Sequence, residues 1–181
     1  VDTAGVDLIT SNVDLTGAEL ELIDYDRREF RLRDALANLT GYDYILIDCP
    51  PSLGLLTLNG LAASDRVLIP IQCEYYALEG LTALLQTIDR VRAAVNPGLA
   101  VEGILRTMYD PRNSLTRDVS AQLAEHFEAE LYRTVIPRNV RLAEAPSYGL
   151  AALHYDKGSS GAKAYLALAG ELVRRETERG T

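Results

Sequence analysis

The amino-acid sequence predicts an α/β fold, a doubly wound parallel sheet with helices on both faces. Short apolar runs alternate with longer segments of helical periodicity, which implies right-handed β-α-β crossovers. Several apolar runs lack polar alternation, as is typical of parallel strands buried on both faces. The 181 residues, 48% hydrophobic and 24% charged, suit a soluble protein with a sizeable core. No repeat or linker divides residues 1–181, so we expect a single domain.

Five segments are predicted to be strands because each is a short apolar run bounded by turn-forming residues. They comprise residues 6–10, 44–47, 66–71, 101–108 and 132–136. Pro70 removes one hydrogen-bond donor near the end of the third strand. Sites in such sheets lie beyond the carboxyl ends of the strands, so we expect the functional residues there.

Six segments are predicted to be helices from the spacing of their apolar residues and from their end signals. They comprise residues 17–23, 29–39, 54–63, 78–95, 115–130 and 161–179. Thr16 is expected to cap the first helix, with Glu19 as its capping-box partner. Gly41 is expected to stop the second helix, and the run at 96–98 the fourth.

The net charge of −8 argues against a protein that binds nucleic acid over its whole surface. Residues 1–130 hold 10 basic and 21 acidic side chains, whereas residues 131–181 hold 8 basic and 5 acidic ones. A local basic face in the last third therefore remains open. The spacing of Cys49 and Cys73 is not that of zinc ligands, so we interpret both as reduced thiols. No apolar run approaches the ~20 residues that a membrane span needs.

The most informative segment is the one that ends the second predicted strand. An apolar run ends in Asp48, and a stiff loop follows at once. The loop consists of Cys49, Pro50, Pro51, Ser52, Leu53 and Gly54. This is the form of a Walker B strand that enters a switch loop, in which the carboxylate holds Mg²⁺ and a glycine approaches a γ-phosphate. The alternative is an aspartate that ends a strand and caps a loop.

Residues 43–56 resemble the switch II segment of the ParA/Soj chromosome- and plasmid-partitioning ATPases. Further blocks are similar to the same family in the same order. They comprise residues 69–81, 107–110, 132–147 and 155–166. The resemblance spans nearly the whole chain. It implies a P-loop NTPase-like fold, ATP with Mg²⁺ as cofactors, a homodimer that encloses ATP, and non-specific DNA and a ParB-type protein as partners. It also implies a cytoplasmic, nucleoid-associated protein.

The resemblance also implies roles for the residues of the nucleotide site. Asp48 would be the Walker B carboxylate, which holds Mg²⁺ through water, and the loop after it would sense the γ-phosphate. Pro137, Arg138 and Asn139 match the segment that lies against adenine, and Met108 lies near that segment. For these four residues the alternative is ordinary packing at the ends of strands.

Two arginines match family positions associated with DNA binding, Arg112 and Arg141. DNA binding of this kind needs exposed cations that reach phosphates, which produces an affinity that depends on salt but not on sequence. Arg112 follows Asp110 and Pro111 in a predicted turn, so we expect it to be exposed. The alternative for each arginine is a solvated surface charge.

The phosphate cradle G-x-x-x-x-G-K-[ST] occurs nowhere in the 181 residues. The chain has no initiator Met, so we expect it to begin inside a longer protein. We expect the P-loop, the first strand and the first helix of a family member to precede Val1. This polypeptide alone is then expected not to hydrolyse ATP, and strand edges and apolar helix faces are expected to be exposed.

Two other readings compete with an incomplete ATPase. The first is a stand-alone module that binds DNA or a partner without hydrolysis. The second is a membrane-positioning ATPase of the MinD type. Residues 174–181 contain no bulky apolar side chain, which argues against membrane insertion. We therefore expect no membrane partner.

Overall fold

The computed structural model describes residues 5–180, apart from the side chain of Thr16. The helices are α1 (Asp14–Glu21), α2 (Arg31–Leu36), α3 (Leu55–Ala63), α4 (Ala77–Ala94), α5 (Ser114–His126), α6 (Val140–Glu144), α7 (Ala152–Tyr155) and α8 (Ser160–Arg179). The strands are β1 (Arg66–Gln72), β2 (Ala100–Tyr109) and β3 (Leu131–Pro137). Single 3₁₀ turns cover Leu22–Asp24, Arg28–Phe30 and Ala145–Tyr148. The described chain divides into two compact units, residues 5–67 with 84–100 and residues 68–83 with 101–180.

The first unit is organised around α3 by buried side-chain amides. Asn59, only 4% exposed, accepts a hydrogen bond from the backbone N–H of Leu32 and donates to the carbonyl of Arg28. Asn96, which follows α4, donates to the carbonyls of Leu61 and Ser64 at the end of α3. Because these amides satisfy backbone groups that helix ends leave unpaired, they hold the short helices together.

The second unit contains the sheet, whose strand order is β1-β2-β3. Strands β2 and β3 are parallel and are connected through α5. A core of Leu105, Tyr132, Ile136 and Leu168 lies between these strands and α8. This alternation of strands and helices with a parallel pair confirms the predicted α/β class.

Helix α8 also completes the hydrogen bonding of β3. The buried Glu171 carboxylate accepts the backbone N–H groups of Arg133 and Thr134, both at 2.8 Å. Arg175 donates to the carbonyl of Leu131 and lies over the ring of Tyr132, 4.1 Å from its centroid. These contacts fix β3, whose carboxyl end carries the predicted adenine segment.

Most elements after residue 54 confirm the prediction, and helices α1 and α2 overlap those predicted at 17–23 and 29–39, but the two strands predicted before residue 54 do not form. Residues 6–10 and 44–47 form no strand. The second of these segments was predicted to be buried, yet Leu46 is 89% exposed and Tyr44 and Ile45 are each 47% exposed. An apolar run becomes a strand only where a neighbouring strand supplies a hydrogen-bond ladder, and in residues 5–180 the sheet begins at β1.

The first helix begins earlier than the sequence predicts. It starts at Asp14, so Thr16 lies inside it rather than at its cap, and the Thr16 side chain is outside the described part of the structure. Glu19 is not a capping-box partner within α1. Its carboxylate instead accepts the backbone N–H of Leu55, the first residue of α3, at 2.6 Å.

Two further features differ from the prediction, the burial of β1 and the end of α5. Strand β1 alternates buried Ile69 and Ile71 with exposed Pro70 and Gln72, so it is not buried on both faces. Its place at one edge of the sheet explains how Pro70 is tolerated. Helix α5 ends at His126 and not at residue 130.

Candidate functional site

The carboxyl end of β2 is distorted at Met108. Between Arg106 and Tyr109 the strand advances three residues, whereas the paired residues Val135 and Pro137 are two apart. The extra residue is a β-bulge, and within it Met108 has a φ of +50°. A left-handed conformation costs a non-glycine residue about 1 kcal/mol or more, and bulges of this kind redirect side chains beside functional sites. The Met108 side chain is 41% exposed.

A cavity of about 250 Å³ lies beyond the ends of the strands in the second unit. Two of the predicted nucleotide residues, Met108 and Arg138, line it together. The complete lining is Gln72, Cys73, Glu74, Met108, Asp110, Asn113, Thr116 and Arg138. The backbone N–H of Arg138 donates to the carbonyl of Tyr109 at 3.1 Å, which joins the end of β3 to that of β2. Burial raises the pKa of the Cys73 thiol, so this side chain is a neutral wall residue.

The turn from β2 into α5 positions Arg112. The guanidinium donates from Nε to Asp110 Oδ1 at 2.9 Å and from Nη2 to Asp110 Oδ2 at 2.7 Å. The backbone N–H of Arg112 also donates to Oδ1, and Asn113 caps α5 by accepting from the N–H of Leu115. Hydrogen bonding from Arg112 lowers the pKa of Asp110 to about 2, so the carboxylate is ionised at neutral pH. The Arg112 side chain itself is 88% exposed, as predicted.

The segment after β3 contains the other residues predicted from the family pattern. Pro137 is the last residue of β3 and pairs with Tyr109. Asn139 caps α6 by accepting from the N–H of Arg141, and its amide donates to Ser160 Oγ at 2.7 Å. Asn139 therefore ties the end of β3 to the start of α8, and it does not line the cavity.

Arg141 is half-exposed and lies among acidic side chains. Its Nη1 donates to Glu144 Oε2 at 2.8 Å, and its Nε lies 3.6 Å from Asp156 Oδ2. The hydrogen bond that Arg141 donates to Glu144 raises the pKa of Arg141, which keeps it cationic. Arg112 and Arg141 are thus both paired with carboxylates, in two different segments.

Asp48 and the loop after it belong to the first unit. Asp48 is exposed, and Ser52 accepts a hydrogen bond through its carbonyl from Thr57 Oγ1 at 2.6 Å. Burial and the neighbouring Asp48 raise the pKa of the Cys49 thiol, whose sulfur packs against Gly60 of α3. A side chain at Gly54 would overlap the Glu19 carboxylate, so this glycine admits Glu19 to the start of α3.

Sequence reasoning missed the partners that hold these residues. Asn113 and Thr116 line the cavity but were not singled out, although both lie near the carboxyl end of β2. That position was the available signal. Gln72 and Glu74 also line it, and they belong to the family-similar block 69–81 but had no assigned role. Glu19 left no signal, because its contact with Leu55 joins residues far apart in sequence.

The described residues form no metal cage. Within residues 5–180, no group of three or more His, Cys, Asp or Glu side chains is arranged to hold a metal ion. None of the helices in that range has both the length and the apolar content required to cross a membrane.

Comparisons with known proteins identify the family. A family model described as an AAA domain matches residues 1–101. The chain is 54% identical to the chromosome partitioning protein ParA of Myxococcus xanthus, over 95% of this chain and 61% of that protein. It is 53% identical to the sporulation initiation inhibitor protein Soj of Bacillus subtilis, over 93% of this chain and 67% of that protein.

A solved structure of a differently named protein shares the fold. The cobyrinic acid a,c-diamide synthase from Mycobacterium smegmatis, with bound ADP and magnesium, matches with a TM-score of 0.76 and 40% identity. The match covers 92% of this chain and 61% of that one. The structural likeness confirms the predicted P-loop NTPase-like fold class. The chain spans between 61% and 67% of the length of the two curated relatives. The chain belongs to the ParA/Soj family of chromosome-partitioning ATPases.

Proposed function

We propose that the chain is the carboxyl-terminal part of a ParA/Soj-like DNA-partitioning ATPase. The complete protein binds ATP with Mg²⁺, dimerises, binds DNA without sequence preference and is reset by a ParB-type partner. It is a cytoplasmic protein that associates with the nucleoid. The cavity of the second unit carries the proposal. Met108 and Arg138, both expected at the nucleotide, line it with Asp110, which also binds Arg112. One turn therefore joins the expected nucleotide residues to an expected DNA contact.

In this proposal the cavity receives the nucleoside part of ATP. Its wall combines the apolar Met108 side chain with hydrogen-bonding groups of Gln72, Asn113 and Thr116. Binding sites for flat, polar ligands commonly combine apolar area with a few polar groups that fix the orientation. The left-handed backbone at Met108 supports the assignment, because costly conformations cluster at functional sites.

Asp48 is the proposed Mg²⁺ ligand, acting through water. The exposed carboxylate fits this role, since Mg²⁺ keeps most of its waters and binds to one or two carboxylates together with phosphates. The lack of a metal cage in residues 5–180 is compatible with an ion that arrives with the nucleotide. When bound, Mg²⁺ neutralises the charge that develops on the transferred phosphate. Asp48 would orient that ion, and residues 49–54 would change conformation with the phosphate.

Exposed apolar side chains in the first unit support an incomplete chain. Leu8, Ile9, Val13, Leu20 and Leu46 are each more than half exposed, and Leu46 reaches 89%. The apolar face of a helix or strand is stable when it is buried against another element, so such side chains are expected to have a covering partner. In the proposal these residues are covered by the part of the protein that carries the P-loop.

The nucleotide site is tested by ATP affinity in the full natural polypeptide that contains residues 1–181. We expect Arg138→Ala and Met108→Ala each to weaken ATP binding by roughly tenfold, equivalent to about 1.4 kcal/mol. The control is Arg133→Ala, which removes an exposed arginine from β3 outside the cavity lining. Unchanged ATP affinity in both cavity variants would show that ATP does not bind in this cavity.

A stand-alone, non-hydrolysing module is the second candidate, because the 181 residues contain no P-loop motif. Both candidates predict that purified residues 1–181 do not hydrolyse ATP, and turnover that is lost on Asp48→Ala would overturn that prediction. The reading frame upstream separates them. An in-frame K-G-G-x-G-K-[TS] motif favours the incomplete ATPase, and a stop codon favours the module.

A further inference from the structure

We propose that Asp110 is a positioning residue for DNA binding, which holds the Arg112 guanidinium ready for a DNA phosphate. This inference rests on the proposed DNA-binding function. It concerns a residue that makes no contact with DNA in the proposal and affects DNA binding through Arg112, while it also lines the cavity assigned to the nucleotide.

The hydrogen bonds determine which edge of the guanidinium is used. Asp110 accepts from Nε and Nη2, the side edge of the group, at 2.9 and 2.7 Å. No hydrogen bond from Nη1 occurs within residues 5–180. The end edge, formed by Nη1 and the second Nη2 hydrogen, is therefore free to donate to a further acceptor. A phosphate accepts such a pair of parallel N–H bonds.

The turn around Asp110 is itself fixed, so the arginine is held in a defined place. The Asp110 carbonyl accepts the N–H of Asn113 at 3.1 Å, and Asn113 caps α5. The Asp110 side chain is 26% exposed, whereas that of Arg112 is 88% exposed. The carboxylate thus lies at the base of the turn, and the guanidinium extends from it into solvent.

These contacts indicate that Asp110 positions Arg112 and does not block it from binding a phosphate. A carboxylate that blocked Arg112 would occupy most of the guanidinium donors, but only two of the five N–H groups are used. An unrestrained arginine loses much rotamer freedom when a phosphate fixes it, and Asp110 has already removed that freedom. Held in this way, Arg112 loses less entropy on binding DNA.

The proposal predicts an effect opposite in sign to simple electrostatics. Removal of a negative charge near a DNA-binding face ordinarily strengthens DNA binding. If Asp110 positions Arg112, Asp110→Asn instead weakens binding, by roughly three- to tenfold. Asparagine keeps an oxygen that accepts the N–H of Arg112, so the turn is preserved while the ion pair is lost. Asp118→Asn on α5 is the control, an exposed carboxylate outside the turn.

The experiment measures affinity for a random-sequence duplex against salt concentration in the full natural polypeptide, with Mg²⁺ and with ATP at a concentration that saturates each variant, because Asp110 also lines the proposed nucleotide cavity. We expect Arg112→Ala to weaken binding and to reduce the salt slope by about one. Asp110→Asn should weaken binding with the slope unchanged, because Arg112 still reaches its phosphate. In the Arg112→Ala background, Asp110→Asn should cause no further loss. Asp118→Asn should not weaken binding.

Each contrary result has a distinct meaning. If Arg112→Ala weakens binding but Asp110→Asn strengthens it or leaves it unchanged, the positioning role is refuted and the DNA surface stands. If the loss caused by Asp110→Asn persists without Arg112, or the salt slope falls with it, Asp110 acts through the fold of the turn or through the cavity that it lines and does not position Arg112. If Arg112→Ala has no effect, the proposed DNA surface fails, and the role of Asp110 fails with it.

Discussion

Replacement of Glu171 by alanine tests how α8 holds the strand that leads to the predicted adenine segment. Glu171 is 6% exposed, and its two oxygens accept the backbone N–H groups of Arg133 and Thr134, each at 2.8 Å. A hydrogen bond to a charged group contributes about 1.5–3 kcal/mol. Water can replace part of this because Arg133 is exposed. We therefore expect Glu171→Ala to lower the free energy of unfolding by about 3 kcal/mol in total.

Urea denaturation of wild type and variant measures this difference directly. For a protein of this size, about 3 kcal/mol corresponds to a fall in Tm of roughly 6–12 °C. Glu125→Ala is the matched control, since Glu125 is an exposed glutamate on α5, and it should change stability by less than about 0.5 kcal/mol. A loss below about 1 kcal/mol for Glu171→Ala would refute the reasoning that this carboxylate completes the hydrogen bonding of β3.

The same contact predicts how stability depends on pH. Burial raises the pKa of Glu171, but the N–H groups of Thr134 and Arg133 and the charge of Arg175 outweigh burial and lower it. A carboxylate whose pKa is lower in the folded state stabilises the protein above its unfolded pKa of about 4.5. That contribution is lost as the pH falls through the folded pKa. The acid-induced loss of stability should therefore be smaller in Glu171→Ala than in wild type.

The first unit offers two further predictions. Asn59→Ala should lower the free energy of unfolding by about 2–3 kcal/mol, because it leaves the N–H of Leu32 and the carbonyl of Arg28 without their partner. The same urea measurement checks this, with Asn38→Ala at an exposed position as the control. Gly54→Ala should cost about 1 kcal/mol, because the added methyl group displaces the Glu19 carboxylate from the start of α3. The cost of Gly54→Ala should largely disappear in a Glu19→Ala background, and a fully additive double mutant would contradict the assigned contact.

The second unit could be predicted from sequence because its signals are local. The apolar runs of β2 and β3 and the periodicity of α8 each specify their own element. The turn at Asp110 and Arg112 is also local, since an aspartate commonly accepts the N–H two residues on. The exposure of Arg112 followed from that turn.

The features that escaped prediction depend on distant partners. Residues 44–47 have the composition of a buried strand, but a strand also needs a neighbour, which composition does not supply. The bulge at Met108 depends on the register against β3, more than twenty residues further along the chain. Glu19 has the spacing of a capping-box residue, yet its carboxylate bonds to α3. In each case a tertiary contact overrode a local pattern.

The central claim is that this chain is part of a DNA-binding ATPase whose DNA binding depends on ATP, and in which Asp48 holds Mg²⁺ through water. The most direct test is the affinity of the full natural polypeptide for random-sequence DNA, measured with and without ATP and Mg²⁺ for wild type and Asp48→Ala. The account predicts salt-dependent binding that requires ATP in wild type and that no longer responds to ATP in Asp48→Ala. DNA affinity that is the same with and without ATP in wild type, or an ATP response that survives Asp48→Ala, would contradict it.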